Sequence, residues 1–291
     1  PLSVPMTIEV SKAQRPADTE VLVGTQYKLF RSILGKVSHC ANFTHPEISI
    51  AVSIVSTYMS APSPEDLVDA FNILRYLMST VNKPSATFTL QHNPLFDSTT
   101  STHQNPIHLL CDADLSNCRL TRRSRTSFCG YLFGNLCGWN ARKQKSVSLS
   151  TAESEYVALS ACAQFGKWFK GLMSDMGLEL SHCKPVVILC DSKSAITIAE
   201  SPAHIMNKYS KHIERRVHWF REQIRDGTLR VQHVPGTDNI ADLFTKCLGA
   251  VAFKKYRDSL LRGDFRVLDE GGSYMCIVDN STIPFKWMND M

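Results

Sequence analysis

Hydrophobic residues recur at three- and four-residue steps between Tyr27 and about Thr80. Leu29, Ile33, Leu34 and Val37, then Ile48, Val52 and Val55, then Val68, Phe71, Leu74 and Leu77 mark apolar stripes, and this spacing predicts amphipathic helices. Pro62-Ser63-Pro64-Glu65 separates two of them and gives the second a start, with Ser63 as cap and Pro64 in the first turn. The expectation over 1–80 is a small helical hairpin module behind an extended lead-in of about 24 residues. Residues 81–104, with Pro84, Pro94 and many Ser, Thr and Asn, predict a linker.

Beyond it the period changes. His108 to Asp114 predicts a strand that ends in acid, and Phe128–Phe133 and Leu136–Trp139 predict two more across a Gly134-Asn135 turn. Ser146–Ser150 continues the extended character. Ser150 to about Met176 predicts a long helix, Pro185–Cys190 a buried strand and Ser192 to about Ala199 a short helix. A basic helix from Asn207 to Asp226, a strand from Leu229 to Val234 and a short helix from Asn239 to Leu248 follow. Successive strands followed by alternating helix and strand make an α/β class, a mixed sheet with helices on its faces. That unit spans 105–250, and a C-terminal helix and tail fill 251–291.

Composition narrows the classes. The 291 residues are 43% hydrophobic and 20% charged, ordinary globular usage that excludes global disorder. The best apolar run, Ile48–Met59, is broken by three serines and falls short of the roughly 18–20 residues of a membrane helix. The ten cysteines form no CxxC pair, and Cys129, Cys137 and Cys190 lie in apolar runs, so they are expected to pack as reduced thiols. The chain carries no secretory signal and opens on Pro1, which points to a piece of something longer in a reducing, intracellular compartment. The net charge of +5 permits a polyanionic partner without requiring one.

Four acids stand at the edges of the predicted elements: Asp112 near the end of the first strand, Glu155 in the long helix's opening turns, Asp191 just past the Val186–Cys190 strand, and Asp242 in the last short helix. Carboxylates gathered at one sheet edge repel unless a cation lies among them, and an all-oxygen set suits Mg²⁺ or Mn²⁺ rather than zinc. Each also has a plain structural reading. Asp191 could cap the following helix, and Asp242 could complement a helix dipole. Ser150-Thr151-Ala152-Glu153 fits a capping box, which employs Glu153 and leaves Glu155, roughly 200° further round the helix, without a capping role. Asp114 shares a strand face with Asp112.

The strings Cys111-Asp112-Ala113-Asp114, Ser150-Thr151-Ala152-Glu153-Ser154-Glu155-Tyr156, Cys190-Asp191-Ser192-Lys193-Ser194-Ala195, and Val234-Pro235-Gly236 with Asn239-Ile240-Ala241-Asp242 resemble, in order, the ribonuclease H domain of copia-type LTR retrotransposon polyproteins. Trp139 to Lys145, Lys211-His212-Ile213 and Phe244-Thr245-Lys246 match as well. Residues 27–80 look like the end of the reverse transcriptase region in the same polyproteins, a thumb- or connection-like module. The resemblance implies a ribonuclease H-like five-stranded mixed sheet flanked by helices, and hydrolysis of the RNA strand of RNA–DNA hybrids. It implies Asp112, Glu155, Asp191 and Asp242 as the catalytic, metal-holding tetrad for two Mg²⁺ ions, with Mn²⁺ as a substitute. Asp112 would bridge both ions, Glu155 and Asp191 would serve one, and Asp242 the other. The loop histidine of many relatives has no counterpart, and His233 is expected to be a plain strand residue.

The substrate has its own trace. Between Leu115 and Ala152 seven basic residues occur and no acid. Arg123, Arg142, Lys143 and Lys145 from this stretch, and Lys211 from the basic helix, are the expected phosphate contacts. The expected partners are the hybrid and the upstream reverse transcriptase palm of a parent polyprotein, in a cytoplasmic particle or the nucleus, with no membrane. No Y-x-D-D polymerase motif occurs. The competing class is a catalytically silent nucleic-acid-binding or scaffolding remnant of a mobile element. A strand-transferring integrase would need glutamate as the last acid, where Asp242 stands.

Overall fold

Three helices form where the three- and four-residue spacing places them, α2 (Gly24–Phe43), α3 (Ser49–Val55) and α4 (Pro64–Thr80), but the lead-in expected to be extended contains a short helix of its own, α1 (Ile8–Lys12). The computed structural model describes residues 2–12, 19–81, 106–118, 120–177, 185–201, 211–263, 266–268 and 274–276. In α4 the expected cap is a full capping box: Asp66 N–H donates to Ser63 Oγ at 3.3 Å, and Ser63 N–H donates to Asp66 Oδ2 at 2.6 Å. The stripe it buries differs from the apolar pattern. Ala70, Ile73 and Tyr76 face the core, while Val68 and Phe71 lie exposed. The linker expected at 81–104 lies outside the described residues apart from Val81.

The sheet contains β1 (Ile107–Asp114), β2 (Arg125–Leu132), β3 (Asn135–Lys143), β4 (Val186–Cys190) and β5 (Leu229–His233) in the order β3-β2-β1-β4-β5. β1 pairs antiparallel with β2, and β2 with β3; β1 pairs parallel with β4, and β4 with β5. This is the mixed, ribonuclease H-like sheet that the resemblance implies. The hairpin turns one residue earlier than expected. Phe133 and Gly134, both at positive φ, form the two-residue loop, and Asn135 already pairs with Leu132. Ser146–Ser150 is not a strand, because β2 begins opposite Lys143 and offers nothing further to pair with.

One face of the sheet is covered by α5 (Thr151–Asp175), α6 (Lys193–Glu200) and α7 (Lys211–Arg225). Leu109, Cys111, Ile188 and Cys190 pack there against Tyr156, Leu159, Ala163 and Phe220. Gly166 allows α5 to lie close, since a Cβ there would stand 2.6 Å from Leu109 Cδ1. The other face is covered by the N-terminal helices, by a 3₁₀ turn at Ile240–Phe244 and by α8 (Ala250–Arg262). Leu110, Tyr131 and Leu189 share one buried cluster with Phe30, Leu34, Ile73 and Phe244. Trp139 Nε1 donates to the Ala41 carbonyl at 2.7 Å, and the rings of Tyr76 and Phe253 meet edge to face at 5.6 Å. The short helix expected over Asn239–Leu248 is thus only the 3₁₀ turn, with a separate longer helix after it. Two strands absent from the tail's pattern, β6 (Arg266–Leu268) and β7 (Tyr274–Cys276), pair antiparallel. Among the described residues no helix is long and apolar enough to cross a membrane.

Candidate active site

The parallel pairing of β1 and β4 ends at Cys111 opposite Cys190, so Asp112 and Asp191 follow side by side where the two strands separate. Ala113 lies beyond the last residue of β4, and its amide donates instead to Glu155 Oε2 at 3.1 Å. That bond brings the carboxylate of α5 to the sheet edge. The fourth acid is carried in by the 3₁₀ turn, which is fastened to the sheet by buried polar groups. Asn239 Nδ2 donates to the Cys111 carbonyl at 2.9 Å, and its Oδ1 accepts from Ala241 N–H at 3.2 Å. Ser127 Oγ donates to the Ala241 carbonyl at 3.0 Å. Asp242, the next residue, is thereby set beside Asp112.

One oxygen each from Asp112, Asp191 and Asp242 lie within 4.8 Å of one another, and Glu155, Cys190 and Asp191 form a second such group. Asp191 is common to both groups, whereas the resemblance implied Asp112 as the shared ligand. Asp112 and Glu155 are buried; Asp191 and Asp242 are half-buried, nearer solvent. Asp191 Oδ1 is buried without a hydrogen-bond partner among the described residues. The crowding is visible in the acids' affinities for protons. Burial, then Asp112, pushes the Glu155 carboxyl well above the ordinary carboxylate range. The same two causes raise Asp191 and Asp242, with Lys246 acting in the opposite direction on both.

The remaining acids take plain roles. Glu153 N–H donates to Ser150 Oγ at 3.1 Å, and its carboxylate accepts from Leu149 N–H at 2.9 Å, one residue before the cap that a strict capping box would use. Asp114 accepts from Asn117 and joins neither acidic group. His233 closes β5.

Three residues at the site had no role assigned from sequence. Lys246 Nζ stands 2.6 Å from Asp242 Oδ1 and 3.6 Å from Asp112 Oδ2. Thr245 Oγ1 donates to Asp112 Oδ2, and Asn239 anchors the turn. The four-residue step from Asp242 to Lys246 was the signal available for the ion pair.

Of the basic residues, Arg123 and Lys143 are half-buried, and Arg142 and Lys145 are exposed. All four lie at or just beyond the sheet end where β1 stops, with Asp114 opposite Arg125 and Arg125 opposite Lys143. Arg142 projects from the other face of β3. Lys211 opens α7, and its side chain lies outside the described residues.

No family model matches the chain. It is 31% identical over 260 residues to the retrovirus-related Pol polyprotein from transposon RE1 of Arabidopsis thaliana, covering 89% of this chain and 16% of that protein. The corresponding polyprotein from transposon TNT 1-94 of Nicotiana tabacum is 31% identical over 252 residues, 84% of this chain and 17% of that one. The chain therefore spans about a sixth of these relatives. Among solved structures, the foamy viral protease-reverse transcriptase in complex with dsDNA is similar over 77% of this chain and 40% of its own, at 13% identity and a TM-score of 0.43.

Proposed function

We propose that this chain is the ribonuclease H of a retrovirus-related Pol polyprotein of a copia-type transposon, hydrolysing the RNA strand of RNA–DNA hybrids. The observation that carries the reading is the convergence of Asp112, Asp191 and Asp242 oxygens within 4.8 Å where β1 and β4 separate. An all-oxygen donor set with an orphaned, buried Asp191 Oδ1 fits a hard cation. Asp112, Asp191 and Asp242, with Glu155 beside them, would hold two Mg²⁺ ions, for which Mn²⁺ could substitute. When bound, the metal supplies an acidified water and a counter-charge for the leaving oxygen.

The chain's own residues do the rest. Asn239, Ser127 and the Ala113 amide fix the acids, so that their spacing is set before substrate arrives. Arg123, Arg142, Lys143, Lys145 and Lys211 would follow the phosphate backbone, and selection of the RNA strand rests on its 2′-hydroxyls. Residues 1–80 would be the end of the reverse transcriptase region, 105–250 the nuclease and 251–291 a closing helix and tail. The upstream palm of the parent polyprotein would be the partner, in a cytoplasmic particle or the nucleus.

The test is cleavage of an end-labelled RNA–DNA hybrid by the purified chain with and without Mg²⁺, beside Asp191→Asn. Metal-dependent cutting of the RNA, lost in the variant, is expected. Binding without cutting, or equal cutting of duplex DNA, overturns the reading.

A further inference from the structure

The acidic cluster already contains a cation. Lys246 reaches back from the residue after Thr245 and sets its ammonium 2.6 Å from Asp242 Oδ1 and 3.6 Å from Asp112 Oδ2. Both carboxylates belong to the group whose oxygens lie within 4.8 Å of one another. Two of the three carboxylates that a divalent cation would need are therefore ones the lysine engages. Asp112 Oδ2 additionally accepts from Thr245 Oγ1, so Thr245 and Lys246 together occupy one side of that carboxylate. The lysine side chain is 39% exposed while Asp112 is 1% exposed, so the tether enters from the rim of the site and its head points inward. Retreat of the head toward solvent would break two ionic contacts.

We propose that Lys246 is a tethered counter-ion that holds the acidic site together in the metal-free chain and yields Asp112 and Asp242 to the divalent cation by exchange, its ammonium moving out to the rim as the metal loads. The inference rests on the reading of these aspartates as metal-holding residues. Two positive centres on the same pair of carboxylates repel strongly in a half-buried site, and that repulsion drives the exchange. Lys246 is thus a positioning residue: it keeps the carboxylates converged until the metal arrives, and it sets a threshold on metal affinity.

Two measurements on the full chain test it. In the first, Mn²⁺ is titrated calorimetrically into the wild-type chain, Lys246→Met and Lys246→Arg. Lys246→Met is expected to bind on the order of tenfold more tightly. Its metal-free form should melt lower and gain more from added Mn²⁺, while Lys246→Arg, which keeps the charge, stays near wild type. Unchanged or weaker binding by a cooperatively folded Lys246→Met overturns the proposal. The second measurement needs no variant to fold. Reductive methylation of Lys246 in the wild-type chain, followed by mass spectrometry, should accelerate several-fold on adding Mg²⁺, and a rate indifferent to Mg²⁺ overturns the proposal. A chain that exchanges Lys246 for metal yet cuts no hybrid fails the nuclease reading alone. One that cuts hybrid with Lys246 indifferent to metal fails the exchange alone.

Discussion

The Ala113 amide donates to Glu155 Oε2 at 3.1 Å, joining the first turns of α5 to the strand that carries Asp112. Glu155 is buried, and burial together with Asp112 disfavours its ionised form. Glu155→Gln keeps an oxygen for Ala113 and removes the repulsion. Without metal the variant should be more stable by ~1 kcal/mol, which in a chain of this size is about 2–4 °C in melting temperature. Hybrid cleavage should fall by about 100-fold or more. Melting and single-turnover cleavage on one preparation check both, and a destabilised, active variant contradicts the assignment.

The N-terminal helices and the sheet bury residues in one cluster, in which Phe30, Leu34 and Ile73 join Leu110, Tyr131 and Leu189. Removal of residues 1–105 takes these helices away and leaves Trp139 Nε1 without the Ala41 carbonyl. A chain beginning at residue 106 should lose its sharp thermal transition and bind a hydrophobic dye. Trp139→Phe in the full chain should cost ~1 kcal/mol, mostly for the lost hydrogen bond. Cooperative unfolding of the shortened chain would show that α8 and the 3₁₀ turn suffice to cover the sheet.

Gly166 faces Leu109 and Val186 so closely that a Cβ would meet Leu109 Cδ1 at 2.6 Å and Val186 Cγ1 at 3.1 Å. Alanine gains ~1 kcal/mol in helix propensity but must push α5 off the central strand, and overpacking costs ~1–3 kcal/mol. The steric side should win, because Leu109 is fully buried and has no room to turn. A lowered denaturant midpoint in Gly166→Ala is the expected outcome; a raised one would mean that Leu109 repacks freely.

His108 lies buried on β1, and burial lowers its pKa from 6.5 to about 3. The unfolded chain therefore takes up this proton near pH 6.5 while the folded chain refuses it until about pH 3. The stability tied to neutral His108 is complete above pH 6.5 and drains away as the pH falls toward 3, at up to about 1.4 kcal/mol per pH unit. His108→Leu should flatten the acid limb of the stability curve between those limits, as urea unfolding at stepped pH would record. Parallel curves for the two chains would assign the acid loss to other groups.

The sheet was legible from its apolar runs, and the gathering of acids at its edge from two of them, since β1 and β4 run straight into Asp112 and Asp191, while capping logic separated Glu155 from Glu153. Local rules failed where a tertiary neighbour decides. Ser146–Ser150 has strand-like residues but no strand beside it. Val68 and Phe71 continue a helical stripe, yet the packed side of α4 runs through Ala70 and Tyr76. Lys246 stood in a matched string without a role, since only the 3₁₀ turn at Ile240–Phe244 swings it over Asp112. Periodicity showed that the N-terminal helices are amphipathic; that they share a core with the sheet depends on contacts such as Trp139 with Ala41, 98 residues apart.

Arg123, Lys143 and Lys145 cluster at the sheet end where β1 stops, in the stretch from Leu115 to Ala152 that carries no acid. Contacts of this kind with phosphate release counterions, so each lowers the logarithmic salt dependence of binding by about 0.9 when removed. Changing all three residues to alanine should therefore reduce the slope of log K against log salt by nearly 3. The loss should be similar for hybrids of different sequence, because phosphate contacts position a duplex without reading bases. Fluorescence anisotropy with a catalytically blocked Asp191→Asn background, across a salt series, measures the slope without cleavage. A slope that stays at the wild-type value would remove these residues from the interface and leave the cations of α7 as the phosphate contacts.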